Sequence, residues 1–259
     1  MKISATIITF NEESNIRAAC ESVAWADEIV VVDSNSADAT RDIAANCGAR
    51  VIVNAWPGFG AQKQFAVEQA RHDWIFSLDA DERVSDELRQ SIAAVQHHPQ
   101  ADGYLISRRT FYQNRWIRGG GWYPDRQLRL FDRTKGHWKD RHIHESVTMN
   151  PGARVENLSG DLLHYTSTGA AHHHRMIGER YAPLGAQQML EEGRRTSIAG
   201  VATAGPSAFI RSFILKGGFR DGFAGFTIAS FAAHHAFLKH LLLWEKQATD
   251  HPDKNTDRK

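Results

Sequence analysis

Cysteine is scarce. The 259-residue chain carries two, Cys20 and Cys47, too few for a disulfide framework and at no spacing that suits zinc, which fits a reducing compartment. An excess of one charge is also missing. Lys plus Arg number 31 against 30 Asp plus Glu, so nothing points to nucleic acid or another polyanion as partner. No apolar run reaches the ~18–20 uninterrupted residues of a transmembrane helix. The first residues enter a strand at once, as expected without a signal peptide. There is no internal repeat and no low-complexity tract. No Gly-x-Gly-x-x-Gly follows the first strand and no Gly-x-x-x-x-Gly-Lys occurs, which disfavours a dinucleotide fold and a P-loop. The length suits one large domain, or one domain with a sizeable appendage.

What is present is an alternation of short apolar runs and helical stretches. Ile3–Phe10, Glu28–Val32, Arg50–Asn54 and Trp74–Leu78 read as strands, β-branched or apolar and short. Between them lie helices over about Ser14–Trp25, from Asp38-Ala-Thr40 to Gly48, and over Ala61–Ala70. This order predicts an α/β fold with an open, mostly parallel sheet. Ligands of such sheets bind at the carboxyl ends of the strands. Three ends are polar there: Thr9-Phe-Asn11, Asp33-Ser-Asn-Ser36 and Asp79-Ala-Asp81.

The last of these organises the chain. Asp79 and Asp81 stand one residue apart at the end of a buried strand, so they project the same way if the extended form continues. Two carboxylates so placed suit a hard divalent cation that also holds phosphate. A solvated turn, with Asp81 or Ser85 capping the next helix, is the plainer alternative.

Beyond Asp81, Ser85–His97 is an amphipathic helix with Leu88, Ile92 and Val95 inward, and Gly103–Arg108, Gln127–Asp132 and Asp161–Tyr165 read as strands. Phe111–His144 is rich in aromatic and basic residues, with Gly119-Gly-Gly121 inside it. It reads either as an irregular β region with solvated Arg or as a sugar-stacking, phosphate-gripping surface. The last third is helical. His172-His-His174 cannot share one ion locally, because adjacent helical residues point about 100° apart; they are expected to be solvated or to meet anionic lipid. Pro206–Trp244 is apolar, broken by glycines and biased to cations, as in helices at a membrane interface or in an ordinary helical subdomain. The tail, 250–259, is polar and expected to fray.

The ordered set Thr9-Phe-Asn-Glu-Glu13, Val31-Val-Asp-Ser-Asn-Ser36 with Asp38-Ala-Thr40, Gln62-Lys-Gln64 and Leu78-Asp-Ala-Asp-Glu82 resembles the inverting family 2 glycosyltransferases, which have the GT-A fold. Gly121-Trp-Tyr-Pro-Asp125, Arg129-Leu-Phe131, His144-Glu145, Leu163-His-Tyr165 and Arg220-Asp-Gly222 extend the resemblance to the subgroup of bacterial lipopolysaccharide inner-core β-1,4-glucosyltransferases. The resemblance implies a GT-A domain over 1–168, with a nucleotide-binding half 1–110 and an acceptor half 111–168, then a helical region over 169–249. It implies transfer of glucose from UDP-glucose to a lipid-linked saccharide, by a peripheral enzyme on the cytoplasmic face of the inner membrane.

Residue by residue, it implies that Thr9, Asn11, Glu13, Asp33, Lys63 and Asp79 hold the donor nucleotide. Asp81 and Asp79, with His164, would take Mg²⁺ or Mn²⁺. Trp122, Arg126, Arg129 and His144 would serve the acceptor or the diphosphate. Inversion needs a base opposite the leaving diphosphate. Glu145, after the expected turn at Gly136-His-Trp138, is the first choice and Asp125 the second. Two other readings remain open from the sequence: a nucleotidyltransferase that makes a sugar nucleotide, and a non-catalytic nucleotide-sugar scaffold.

Overall fold

Seven consecutive buried residues, Ile3–Thr9, form β1, and the neighbouring elements are arranged around it. The computed structural model describes residues 1–139, 146–166 and 169–249. The elements that follow β1 are α1 (Ile16–Ser22), β2 (Glu28–Asp33), α2 (Thr40–Asn46), β3 (Arg50–Val53), α3 (Phe59–Gln69) and β4 (Trp74–Asp79). Next come β5 (Glu82–Val84), α4 (Asp86–His97), β6 (Gly103–Tyr112), β7 (Arg115–Trp116), β8 (Asp125–Asp132), β9 (Gly136–Lys139), β10 (Ser146–Met149) and β11 (Val155–Tyr165). The helices α5 (Ala170–Met176), α6 (Ala182–Glu191), α7 (Ile198–Ile210) and α8 (Gly222–Thr249) complete the chain.

The main sheet runs β3-β2-β1-β4-β8-β6-β11-β5. Its first four strands are parallel, and β6 and β11 are parallel to each other. Register sets the chemistry: Thr9 lies beside Asp33, and Ile8 beside Asp79. The polar strand ends therefore share one edge, as the alternation predicts. Ile3, Ile7, Ile16, Phe76, Leu78, Leu88, Ile92, Tyr104 and Leu130 form the core beneath that edge. Ser85 caps α4 by accepting from the Leu88 N–H at 3.2 Å, and Leu88 and Ile92 are the buried positions of that helix.

Two expectations need correction. The extended form does not continue past Asp79. Ala80 and Asp81 make a turn before β5, so the two aspartates are not alternate residues of one strand. Gly136–Trp138 is not a turn but part of β9, paired antiparallel with β10.

The described residues divide into two compact units: 1–111 with those of 124–166, and 112–123 with 169–249. Tyr112–Tyr123 thus belongs with the C-terminal helices, not with the acceptor half expected from the sequence. In this second unit the Asp221 carboxylate accepts from the backbone N–H groups of Arg118 (3.0 Å) and Gly119 (2.8 Å). Ser212 Oγ donates to the Gly120 carbonyl at 2.9 Å. A Cβ on Gly225 would fall 1.8 Å from the Gly218 carbonyl oxygen, so only glycine permits this approach. The histidines expected to be solvated include two that pack on α8. His173 stacks on Phe231 at 4.4 Å and His174 on His234 at 5.2 Å.

Candidate active site

The loop after β1 and the loop after β2 are joined by reciprocal hydrogen bonds. The Asn11 N–H donates to Ser36 Oγ, and the Ala37 N–H returns to Asn11 Oδ1, each at 2.8 Å. The Glu13 N–H donates to Asp38 Oδ2 and the Ala39 N–H to Glu13 Oε2, each at 3.1 Å. Between them the Glu12 N–H donates to Thr40 Oγ1 at 2.8 Å. Asn11 and Asn35 both adopt the left-handed backbone region, φ 53° and 65°, which asparagine tolerates better than most residues. Asn11 and Glu13, expected on the nucleoside, tie together the two loops that follow β1 and β2.

Asp33 is fully buried. Its Oδ1 accepts from the Ser36 N–H at 2.8 Å and its Oδ2 from the Ser36 hydroxyl. Its direct work is to fold the loop it begins. Thr9 is also buried, and its hydroxyl has no hydrogen-bond partner among the described residues. Such a group is rare in a native fold and commonly marks a place for a ligand or water.

Asp79 lies among cations. Lys63 Nζ, on α3 and 2% exposed, approaches Asp79 Oδ1 at 2.9 Å. The same ammonium lies 4.9 Å from the Trp138 ring centroid. β8 runs antiparallel to β4 and brings Arg129 to the other side, 3.4 Å from Asp79 Oδ2. Burial pushes the Asp79 carboxyl up, but Lys63 and then Arg129 outweigh it and hold it well below the usual carboxylate range. Asp79 is therefore ionised at neutral pH.

Arg129 is the largest fully buried side chain. Its guanidinium meets Glu82 Oε1 at 2.9 Å, and Glu82 Oε2 accepts from the Asp79 N–H at 2.9 Å. Glu82 thus braces the Asp79–Asp81 turn from below, while Arg129 neutralises it. Burial pushes the Glu82 carboxyl up, against the pull of Arg129. The expected diphosphate contact of Arg129 is not its position here: the side chain is enclosed under the turn. Arg126, the other cation expected there, is exposed on β8.

Asp81 faces a different partner. Its Oδ2 lies 3.1 Å from His164 Nε2, and His164 Nδ1 lies 3.3 Å from Thr110 Oγ1. The pairing of β11 with β6 and β5 sets His164 between Thr110 and Glu82. One ring nitrogen is thus held by a neighbour and the other turned to a carboxylate, the arrangement that orients a metal-binding histidine. Glu12 is close as well: burial, then the charges of Asp81 and Asp38, push its carboxyl up, against the pull of the hydrogen bond from Asn15. Sequence reasoning missed Glu12, Glu82, Arg108 and Thr110. A signal was present for Glu82, the acid that follows Asp79-Ala-Asp81, and for Glu12, which lies inside Thr9-Phe-Asn-Glu-Glu13.

Of the two base candidates, Asp125 is bound by Arg108 at 2.8 Å and by Gln127 at 3.0 Å. Glu145 and His144 lie outside the described residues. Trp122 belongs to the second unit, where it is half-buried and packs against Tyr112, Ile117, Ala224 and Ile228.

The comparisons with known proteins agree on the class. Residues 4–159 match the family model for glycosyl transferase family 2. The lipopolysaccharide core biosynthesis glycosyltransferase LpsC of Rhizobium meliloti (strain 1021) is 31% identical over 96% of this chain and 94% of its own. An uncharacterized glycosyltransferase of Rickettsia bellii (strain RML369-C) is 32% identical over 94% of this chain and 86% of its own. The solved structure of S. aureus TarS 1-349 in complex with UDP-GlcNAc superposes with a TM-score of 0.50 at 17% identity, covering 100% of this chain and 93% of that one. The chain is a glycosyltransferase of GT-A fold, similar over nearly its whole length to a lipopolysaccharide core enzyme, and belongs to glycosyl transferase family 2.

Proposed function

We propose that this enzyme transfers a hexose, glucose from UDP-glucose, to a lipopolysaccharide core or other lipid-linked saccharide, with inversion at the anomeric carbon. The observation that carries the reading is the pairing of Asp81 with His164 at 3.1 Å, in the turn that follows the strand paired with β1, whose last residue, Thr9, has a buried hydroxyl without a hydrogen-bond partner among the described residues. LpsC, by its name a lipopolysaccharide core biosynthesis glycosyltransferase, supports the acceptor class. TarS, similar in fold, was solved with a UDP-sugar.

The donor nucleoside lies against Thr9 and the loops knitted through Asn11, Glu13 and Asp33. Asp79, kept ionised by Lys63 and Arg129, holds the ribose side, and Lys63 adds charge toward the diphosphate. Among the described residues no three His, Cys, Asp or Glu side chains form a closed metal cage. Asp81 and His164, 3.1 Å apart, have the carboxylate and imidazole donors that would hold a divalent cation, Mg²⁺ or Mn²⁺. Such a cation, when bound, offsets the charge on the departing diphosphate. Glu145, with His144 to orient it, takes the proton from the acceptor hydroxyl. Asp125 is the second choice, because its carboxylate is already engaged by Arg108 at 2.8 Å and by Gln127 at 3.0 Å. The enzyme works at the cytoplasmic face of the inner membrane as a peripheral protein.

The test is calorimetric titration of UDP with and without Mn²⁺. Wild type should bind in a Mn²⁺-dependent manner, and Asp81→Asn should lose that dependence. No binding under either condition would remove the reading. In turnover assays with a core acceptor, Glu145→Gln should lose at least roughly a hundredfold in kcat and still bind UDP, and Asp125→Asn much less. The reverse order would move the base to Asp125.

A further inference from the structure

The second unit carries a turn whose exposed apolar surface is built in, not left over. Between α7 and α8 the chain runs through a wide helical turn, Arg211–Leu215, and a short 3₁₀ turn, Gly218–Asp221. Around this reversal Ile210, Ile214, Leu215, Phe219, Phe223 and Phe226 are all exposed, Leu215 to 76% and Phe223 to 74%. At about 200 Å² for each such side chain, their exposed fractions amount to roughly 700 Å², above the ~300–600 Å² of the largest patch on an ordinary monomer. Phe223 stacks near Phe226 at 6.2 Å, and Phe226 meets Phe209 at 5.7 Å.

The turn is held rigidly in this form. Asp221, 2% exposed, is held by the Arg118 and Gly119 backbone. The Gly120 N–H donates to the Lys216 carbonyl at 3.0 Å. A structure that needs a buried aspartate and close glycine contacts to present phenylalanines to solvent is presenting them to something.

Charge identifies the partner. From Gly193 to Arg220 there are five cations, Arg194, Arg195, Arg211, Lys216 and Arg220, and no Asp or Glu. Arg211, Lys216 and Arg220 are exposed beside the apolar side chains. A second copy of the chain docked here by a twofold axis would set these cations against their own equivalents, which is unfavourable. An anionic lipid surface satisfies both features: it accepts apolar side chains and attracts the cations around them. Ile198–Leu215 is long and apolar enough to cross a membrane by length and composition, and only 17% of that stretch is buried. A full crossing would break the Ser212 and Lys216 bonds to the 118–121 loop, so insertion stops at the turn.

We infer that the α7–α8 turn, residues 210–226, is a shallow membrane anchor whose apolar side chains enter an anionic bilayer while Arg211, Lys216 and Arg220 meet lipid phosphates. This rests on the peripheral location proposed above and names the surface responsible.

The experiment is flotation of the full chain with vesicles of phosphatidylcholine alone and of phosphatidylcholine mixed with phosphatidylglycerol. Wild type should float with the anionic vesicles. Leu215→Ser/Phe219→Ser/Phe223→Ser and Arg211→Glu/Lys216→Glu should each lose roughly tenfold or more in partitioning. Both sets change side chains that are already exposed, so unchanged circular dichroism and Tm confirm the fold. If wild type and both variants float equally, the turn is not the anchor, although the peripheral location stands. Equal flotation of wild type on both vesicle types overturns the role of the cations. If wild type floats on neither, the anchor and the peripheral location both fall, and a wild-type dimer dissociated by the triple serine variant would assign the turn to self-association.

Discussion

Replacing Arg129 by Met tests whether the turn that carries Asp79 and Asp81 is held by a buried charge. Arg129 and Glu82 are both fully buried, 2.9 Å apart, and Arg129 also lies 3.4 Å from Asp79. Met fills much of the space but leaves Glu82 with only the more distant Arg108, at 3.6 Å, as a compensating charge. Breaking a buried pair from one side costs about 3–5 kcal/mol, mostly the penalty of the stranded charge. The sign with pH follows from Glu82. Its carboxyl is already raised by burial, so the ionised form is the costly one and stability is gained as pH falls through the folded value. Without Arg129 that value rises further, and the deficit against wild type should be largest at pH 8. Each pH unit over which Glu82 is protonated in the variant but not in wild type returns about 1.4 kcal/mol, so the deficit should shrink as the pH falls from 8 to 6. Asp79 keeps Lys63 at 2.9 Å and adds little to this slope. The assay is urea unfolding followed by circular dichroism at pH 6 and pH 8, on wild type, Arg129→Met and Arg129→Met/Glu82→Gln. The double variant carries no stranded charge and should recover most of the loss at pH 8. A single variant within about 1 kcal/mol of wild type at pH 8, or an equal deficit at both pH values, would refute the argument.

Two other outcomes are expected. Gly225→Ala puts a Cβ 1.8 Å from the Gly218 carbonyl; it should destabilise the second unit by about 3 kcal/mol or more, seen as faster limited proteolysis within residues 169–249, and an unchanged proteolysis rate would mean that the backbone yields easily. Burial, reinforced by Cys47, pushes the Cys20 thiol up to about 12, so at pH 8 a thiol reagent should modify one cysteine of the native protein, Cys47, and both only after unfolding; two equivalents reacting at once would contradict the buried site.

The sequence by itself determined the parts that depend on local order. Runs such as Ile3–Phe10 and Trp74–Leu78 are short, apolar and separated by helical stretches, and that alternation has few solutions other than a parallel sheet with its polar strand ends on one edge. The place of Thr9, Asp33 and Asp79 was legible because register follows from the first strands. The Ser85 cap was legible because its chemistry is local. Partners across long separations were not. Whether Asp79 meets Asp81 or a cation is decided by which strand lies beside β4, and β8 arrives from fifty residues away with Arg129 on its inner face. His164 reaches Asp81 only because β11 lies between β6 and β5. The turn at Ala80-Asp81 separates two residues that spacing alone would put on one side. The packing of Trp122 on Tyr112 and Ala224 follows only from residues 112–123 joining the C-terminal helices. Aromatic and charged side chains serve a core or a ligand equally well, and only their three-dimensional neighbours decide which.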